Sequence, residues 1–357
     1  MPAIGDALRK LNPWHKGKSS LVFYTPPQPP PISTGAAVFL IALYALSYFV
    51  PFYLSSTTRP SPTLSRDAPS VIRARIRSVT LSCFVCTAAT YVVLCRPGPS
   101  GAPGYSPADA LHLLGLWPAA LWDSLRVVLL TAVLFAGPLF SYFVVDGGWA
   151  DWIRLAPLKE IWSEWTAWRN IIAGPVTEEM LFRSASIPLM LLSHTPLTKT
   201  IFLTPVIFGL AHGHHFYEFR LTHPQVPAAA ALARSLFQLC YTTLFGAYAT
   251  FLFLRTGSLL AVCAVHAFCN CMGLPQVWGR VEPVPVLAGG DVDEAGPAGG
   301  RQQQQKGQRR RGSVILYTVS YYVLLVGGAV MWWKKLWVLS ESANALVPTS
   351  AFSKGPA

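Results

Sequence analysis

Residues Gly35–Leu54 read GAAVFLIALYALSYFVPFYL, a run with no charged side chain. At about 1.5 Å per residue, a helix of that length is about 30 Å long, the thickness of a bilayer's hydrocarbon core. Further apolar blocks follow at Ser78–Leu94, Leu125–Val145, Val176–Leu192, Ile201–Gly213, Leu232–Leu254, Ser258–Gly273 and Val314–Trp333. The pattern predicts an all-α, polytopic membrane helix bundle, with about eight transmembrane helices around a polar cavity. The blocks between Val176 and Gly273 are the shorter ones and carry more polar residues. Helices facing a wet interior are expected to look this way.

Composition agrees. Hydrophobic residues make up 52% of the 357-residue chain and charged residues 12%, against about 25% charged in soluble domains. The net charge of +12 would suggest nucleic acid in a soluble protein. Here the basic residues, among them Arg59, Arg66, Arg73, Arg75, Arg77, Lys334 and Lys335, lie between or after apolar runs. Basic residues normally flank membrane helices in that way, and no basic face of a folded domain is visible, so no nucleic-acid partner is expected. The seven cysteines lie in or at the ends of apolar runs and read as small buried hydrophobes; an odd count gives no support for a disulfide framework.

The chain divides into a Pro-rich arm (1–34), N-terminal membrane helices and loops (35–150), a helical core (151–278), a low-complexity insert (279–312), a last membrane helix (313–335) and a C-terminal tail (336–357). The arm carries Pro26, Pro27, Pro29, Pro30 and Pro31 ahead of any long apolar run, so it does not read as a cleavable signal. Residues 108–122 read as an interfacial or re-entrant helix. Trp149, Trp152, Trp162, Trp165 and Trp168 predict a stretch lying along the membrane surface, where indole has both an apolar neighbour and a partner for its N–H. The Gly, Gln and charge content of the insert predicts a disordered loop, with its basic end in the cytosol.

Charged residues inside apolar helices are costly and are functional candidates. In Thr177-Glu178-Glu179-Met180-Leu181-Phe182-Arg183, Glu179 and Arg183 are four apart and share a helix face, so they can pair. Glu178 points about 100° away with no local cation. A carboxylate so placed can act as a general base. Alternatively, both acids serve a helix's first turn after Gly174-Pro175. In Phe208-Gly209-Leu210-Ala211-His212-Gly213-His214-His215, His212 closes an apolar run, whereas His214 and His215 read as an edge cluster. In His266-Ala267-Phe268-Cys269-Asn270, His266 and Asn270 project to one side. They can donate hydrogen bonds to a developing oxyanion, or simply bridge two helices.

Taken in order, Glu178-Glu179-x-x-x-Arg183, Phe208-x-x-x-His212 and His266-x-x-x-Asn270 resemble the three motifs of the type II CAAX prenyl endopeptidases, part of the wider CPBP membrane-protease superfamily. The resemblance covers about Pro175–Gly273, and Phe208–His215 is similar to the Ras-converting branch of the eukaryotic endoplasmic reticulum. It implies a glutamate-type peptidase that removes the last three residues from farnesylated or geranylgeranylated CAAX proteins. By motif, Glu178 and His212 would activate water, Glu179 and Arg183 would brace them, and His266 and Asn270 would hold the oxyanion. The implied partners are membrane lipid and prenylated substrates such as Ras-like small GTPases, fungal-type mating pheromones and lamins. The implied site is a multi-pass protein of the endoplasmic reticulum membrane, open to the cytosol, with no cofactor. The rivals are a zinc metalloprotease, although no HExxH helix is present, a non-catalytic scaffold or transporter, and a thiol protease using Cys269 beside His266.

Overall fold

The computed structural model describes residues 30–61, 64–98, 103–283 and 300–352; residues 1–29 of the expected N-terminal arm and residues 284–299 of the insert lie outside them. Among the described residues all regular structure is helical. Helix α1 (Thr34–Phe49) opens where the Ser33 hydroxyl accepts the Ala36 N–H at 3.1 Å, the usual role of serine at an N-cap. Pro51 then restarts the chain as Pro51–Leu54. Helix α2 (Pro69–Cys95) opens on proline, which needs no amide partner in the first turn. Helix α3 (Leu121–Leu134) stops before Pro138.

Gly174–Glu179 forms α4, continued by an i→i+5 turn at Met180–Ala185 and by Ile187–Leu192. Then come α5 (Leu197–Ala211), α6 (His214–Thr222), α7 (Ala228–Thr256), α8 (Leu259–Met272) and α9 (Gly300–Leu339).

Among the described residues, four helical segments are long and apolar enough to cross a membrane: Thr34–Leu54, Pro69–Cys95, Ala228–Thr256 and Ser313–Leu339. A fifth exists if α3 and the following helix to Val145, bent by 81°, count as one span. This is fewer than the eight expected, for local reasons. Pro138 has no N–H for the Leu134 carbonyl, and its ring crowds that group, so the run does not continue straight. The Val176–Leu192 block is broken by its wide turn, and α5 and α8 have only 15 and 14 residues. The insert also departs from expectation, because α9 begins at Gly300, inside the segment read as a loop.

The Trp-rich stretch forms the short helices Trp149–Ile153, Ala156–Ser163 and Trp165–Trp168, with Trp149, Trp152, Trp162 and Trp165 exposed. Helices α5 and α7 pack face to face, and α8 lies against both α3 and α4. Gly246 of α7 makes the first approach possible. A Cβ there would sit 2.8 Å from the Pro205 side chain and 3.1 Å from Arg183. One core joins Leu130, Leu191, Phe253, Val262 and Leu346; a second joins Ile41, Cys83, Phe182, Leu189 and Phe208. The chemistry-bearing residues sit where α4, the end of α5 and α8 meet these cores.

Candidate active site

The chain runs helically from Trp165 through Ala173 into α4 without a free N-terminus. Glu178 and Glu179 therefore do not serve a first turn, and the dipole alternative falls away. Their side chains part, as the spacing predicts. Glu179 is fully buried, and its Oε1 accepts from Arg183 Nη1 at 3.0 Å and from His266 Nδ1 at 2.7 Å. Arg183 is equally buried. It donates to the Gly246 carbonyl at 3.3 Å and lies 4.7 Å over the Phe208 ring. The wide turn at Met180–Ala185 carries Arg183; such turns often occur at functional sites.

Glu178 faces the other way, into a cavity of about 190 Å³. Its Oε2 lies 4.0 Å from His212 Nε2 and 3.9 Å from His266 Nε2. Among the described residues no lysine or arginine pairs with it. His212 follows the last residue of α5, and its Nδ1 lies 2.9 Å from the Phe208 carbonyl. A carbonyl can only accept, so Nδ1 carries the proton, and in the neutral ring Nε2 offers a lone pair toward Glu178. Asn270, one turn beyond His266 on α8, lines the same cavity and donates from Nδ2 to the Asn170 carbonyl at 2.8 Å. The structure thus gathers Glu178, Glu179, Arg183, His212, His266 and Asn270 from three separate stretches of chain.

His214 and His215 fall outside that cluster of contacts. His214 stacks on Phe49 with centroids 5.3 Å apart and donates to the Ala211 carbonyl at 2.6 Å. Burial, aided by repulsion from His215, pushes its imidazole down to about 3. His215 Nδ1 lies 3.3 Å from Glu218 Oε2, and Arg75 Nη2 lies 2.8 Å from the other oxygen of that carboxyl. Burial pushes the Glu218 carboxyl up, but His215 and Arg75 outweigh it and hold the carboxyl at about 2.

His214, His215 and Glu218 offer ligand atoms within 4.8 Å of one another. The sequence reading took His214 and His215 as an edge cluster and did not single out Glu218. Arg66, Arg75, Arg169 and Asn170 also line the cavity and were likewise not assigned to the site. The signal present was the arginine-rich linker, read only as a membrane flank. Cys269 packs into the apolar core, and Cys83 donates to the Thr177 carbonyl at 3.1 Å from a buried position.

A helical membrane protein with a carboxylate between two imidazoles, braced by a buried Glu–Arg–His cluster, is the class defined here. Residues 160–272 match the family described as "Type II CAAX prenyl endopeptidase Rce1-like". The chain is 39% identical over 245 residues to "Probable CAAX prenyl protease 2" of Schizosaccharomyces pombe, covering 68% of this chain and 83% of the relative. It is 34% identical to "CAAX prenyl protease 2" of Arabidopsis thaliana over 70% of this chain and 83% of the relative. Against the Homo sapiens protein of that name it is 34% identical over 73% and 78%. No solved structure matches. The chain belongs to the Rce1-like family of type II CAAX prenyl endopeptidases.

Proposed function

We propose that the protein removes the C-terminal three residues from farnesylated or geranylgeranylated CAAX proteins, with water activated by Glu178 and His212. The observation that carries this reading is Glu178 Oε2 lying 4.0 Å from His212 Nε2 and 3.9 Å from His266 Nε2 at the wall of a cavity. Gaps of that size are too long for direct hydrogen bonds and suit a bridging water.

The water donates one proton toward Glu178 and the other toward the His212 lone pair. Its oxygen attacks the carbonyl carbon between the prenylcysteine and the next residue as Glu178 takes the proton. The tetrahedral oxyanion accepts from Asn270 and from His266. An imidazolium donates from both nitrogens, Nδ1 to Glu179 and Nε2 toward the cavity. Collapse breaks the C–N bond, Glu178 returns its proton to the leaving amine, the second water proton passes to His212, and the products are a prenylcysteine carboxylate and a tripeptide.

Glu179 and Arg183 fix the orientation of His266. The lipid lies among the exposed apolar helix faces while the peptide enters the cavity. In this reading the protein works in the endoplasmic reticulum membrane with the cavity open to the cytosol, on substrates of the Ras-like GTPase, mating-pheromone and lamin kind.

One observation favours a zinc-dependent variant, the ligand spacing of His214, His215 and Glu218, although Arg75 already pairs with Glu218 at 2.8 Å. The deciding experiment uses purified protein and a farnesylated CAAX peptide quenched through its C-terminal residues. Cleavage that survives chelator and is lost in Glu178→Ala is the expected result. A folded wild type that cleaves no prenylated CAAX peptide sinks the reading, and loss of activity with chelator, restored by zinc, replaces it with the metal variant.

A further inference from the structure

Three guanidinium groups line the cavity, from Arg66, Arg75 and Arg169, and two carboxylates answer them. Arg75 is committed: Nη2 reaches Glu218 Oε1 at 2.8 Å, and Nε and Nη2 donate to the Thr58 carbonyl at 3.1 and 2.8 Å. Arg169 is committed too, with Nη1 at 2.7 Å from Asp67 Oδ1 and Nε at 3.0 Å from Asn170 Oδ1. Arg66 stands apart. Its nearest carboxylate oxygens are Glu218 Oε2 at 3.6 Å and Asp67 Oδ1 at 3.8 Å, both beyond hydrogen-bond distance.

Because Arg75 and Arg169 hold the two acids more closely, Arg66 brings a positive charge to the cavity wall that, among the described residues, no carboxylate meets within hydrogen-bond distance. Its side chain is 44% exposed, against 13% for Arg75. Glu218 does not need it, since Arg75 holds that carboxyl more closely.

A peptide threaded past Glu178 with three residues beyond the scissile bond ends in a free α-carboxylate. Three extended residues span about 10 Å, which sets how far from the cut that carboxylate can reach. Glu178, His212, His215 and Arg66 line one cavity; the His212 and His215 ring centroids are 5.8 Å apart, and His215 Nδ1 and Arg66 Nη1 lie 3.3 and 3.6 Å from the same oxygen of Glu218 behind that wall. A guanidinium is a planar fork that matches a carboxylate in two hydrogen bonds.

We propose that Arg66 is a specificity-determining residue that binds the free α-carboxylate of the substrate's last residue. The proposal rests on the CAAX reading above. It gives the site a measure of length, because only a chain ending three residues past the cut places its carboxylate on Arg66.

The test compares two prenylated peptides that differ only in ending as a carboxylate or as a primary amide. For wild type, kcat/KM is expected to fall roughly tenfold or more with the amide, the worth of a hydrogen-bonded charge. For Arg66→Gln the two peptides are expected to cleave at similar rates, through loss on the carboxylate substrate alone, and Arg66→Lys, with charge but no fork, is expected to fall between.

Equal cleavage of both peptides by wild type overturns the proposal and leaves the CAAX reading intact. Parallel loss on both peptides in Arg66→Gln also overturns it, since that marks a structural role. If Arg66→Gln does not fold, Arg66→Lys decides, and an undiminished preference for the carboxylate overturns the assignment. A wild type that cleaves neither peptide removes the CAAX reading and the proposal together.

Discussion

Glu178 and Glu179 are sequence neighbours with opposite surroundings, and substitutions should separate them. Glu178 keeps 21% of its side chain exposed, and its neighbours His212 and His266 lie 4.0 and 3.9 Å away, beyond direct hydrogen-bond distance. Glu178→Gln should leave the unfolding temperature near wild type while cleavage falls at least about 100-fold, the usual contribution of a general base. Unfolding and turnover measured on one detergent preparation check this. Glu179 is a structural charge, tied to Arg183 and His266. Removing one member of such a buried pair strands the other, at a cost of about 3–5 kcal/mol. Glu179→Ala should therefore lower the unfolding temperature clearly, and adding Arg183→Met should recover part of the loss, since neither charge is then stranded. A double-mutant cycle reads that coupling.

The division between the two acids was legible in the sequence because four-residue spacing alone sets the Glu179–Arg183 face. Across the bundle, His212 was named beside Glu178 only through the motif resemblance, and the place of Arg66 at the cavity was not legible at all. It depends on how the 64–68 linker folds over α6, and no periodicity encodes that.

At the scale of elements, α5 and α7 owe their close packing to Gly246. A Cβ there would meet the Pro205 side chain, Arg183 and Phe208 at 2.8, 3.1 and 3.2 Å, and none of these has room to retreat in a packed core. Gly246→Ala should cost about 1–3 kcal/mol, the usual penalty of overpacking. It should lower activity as well, because the same atoms carry Arg183. Thermal unfolding and kcat/KM measured together test this, and a stable, fully active variant refutes it.

Helix α6 gives a pH-dependent element. The His214 imidazole is held at about 3 and the Glu218 carboxyl at about 2, against ordinary values of 6.5 and 4.5. A lowered folded-state value adds stability above the ordinary value, and that stability is lost as pH falls toward the shifted one. His214 should therefore destabilise the fold progressively below about pH 6.5. His214→Phe, which preserves the ring against Phe49, should flatten the dependence of unfolding temperature between pH 7 and pH 4. An unchanged slope counts against a buried neutral His214. The element count is where sequence reading fell short. Hydropathy counts apolar residues and is blind to the bend before Pro138 and to the wide turn after Glu179, so shorter helices were read as full spans.

On the scale of the whole molecule, the segment after α9 is a clamp where a tail was expected. Leu346 and Val347 are 2% and 5% exposed and belong to the main core, and the Leu346 N–H donates to the Leu254 carbonyl at 2.9 Å. Arg255, near the end of α7, is 2% exposed. It reaches Ser340 Oγ at 3.3 Å, Thr349 Oγ1 at 2.6 Å and the Trp337 carbonyl at 3.2 Å. The segment also reaches α3, where Ser342 donates to Asp123 at 2.6 Å and Arg126 donates to the Glu341 carbonyl at 2.7 Å. One stretch of chain thus joins α3, α7 and α9, on the side of the bundle made by the core around Phe253.

Hydrogen bonds to a charged group are each worth about 1.5–3 kcal/mol, and a buried charge without them is a liability. The sign of one substitution should therefore depend on the rest of the chain. In the full-length protein, Arg255→Met breaks three hydrogen bonds and should lower the unfolding temperature by several degrees. In a chain ending at Leu339, Arg255 has already lost Ser340 and Thr349, and there Arg255→Met should be neutral or stabilising. Thermal unfolding of the four proteins in one detergent reads the cycle. Equal losses in both backgrounds would mean that Arg255 stabilises α7 by itself, and that the segment from Ser340 to Phe352 is held by Leu346 and Val347 alone.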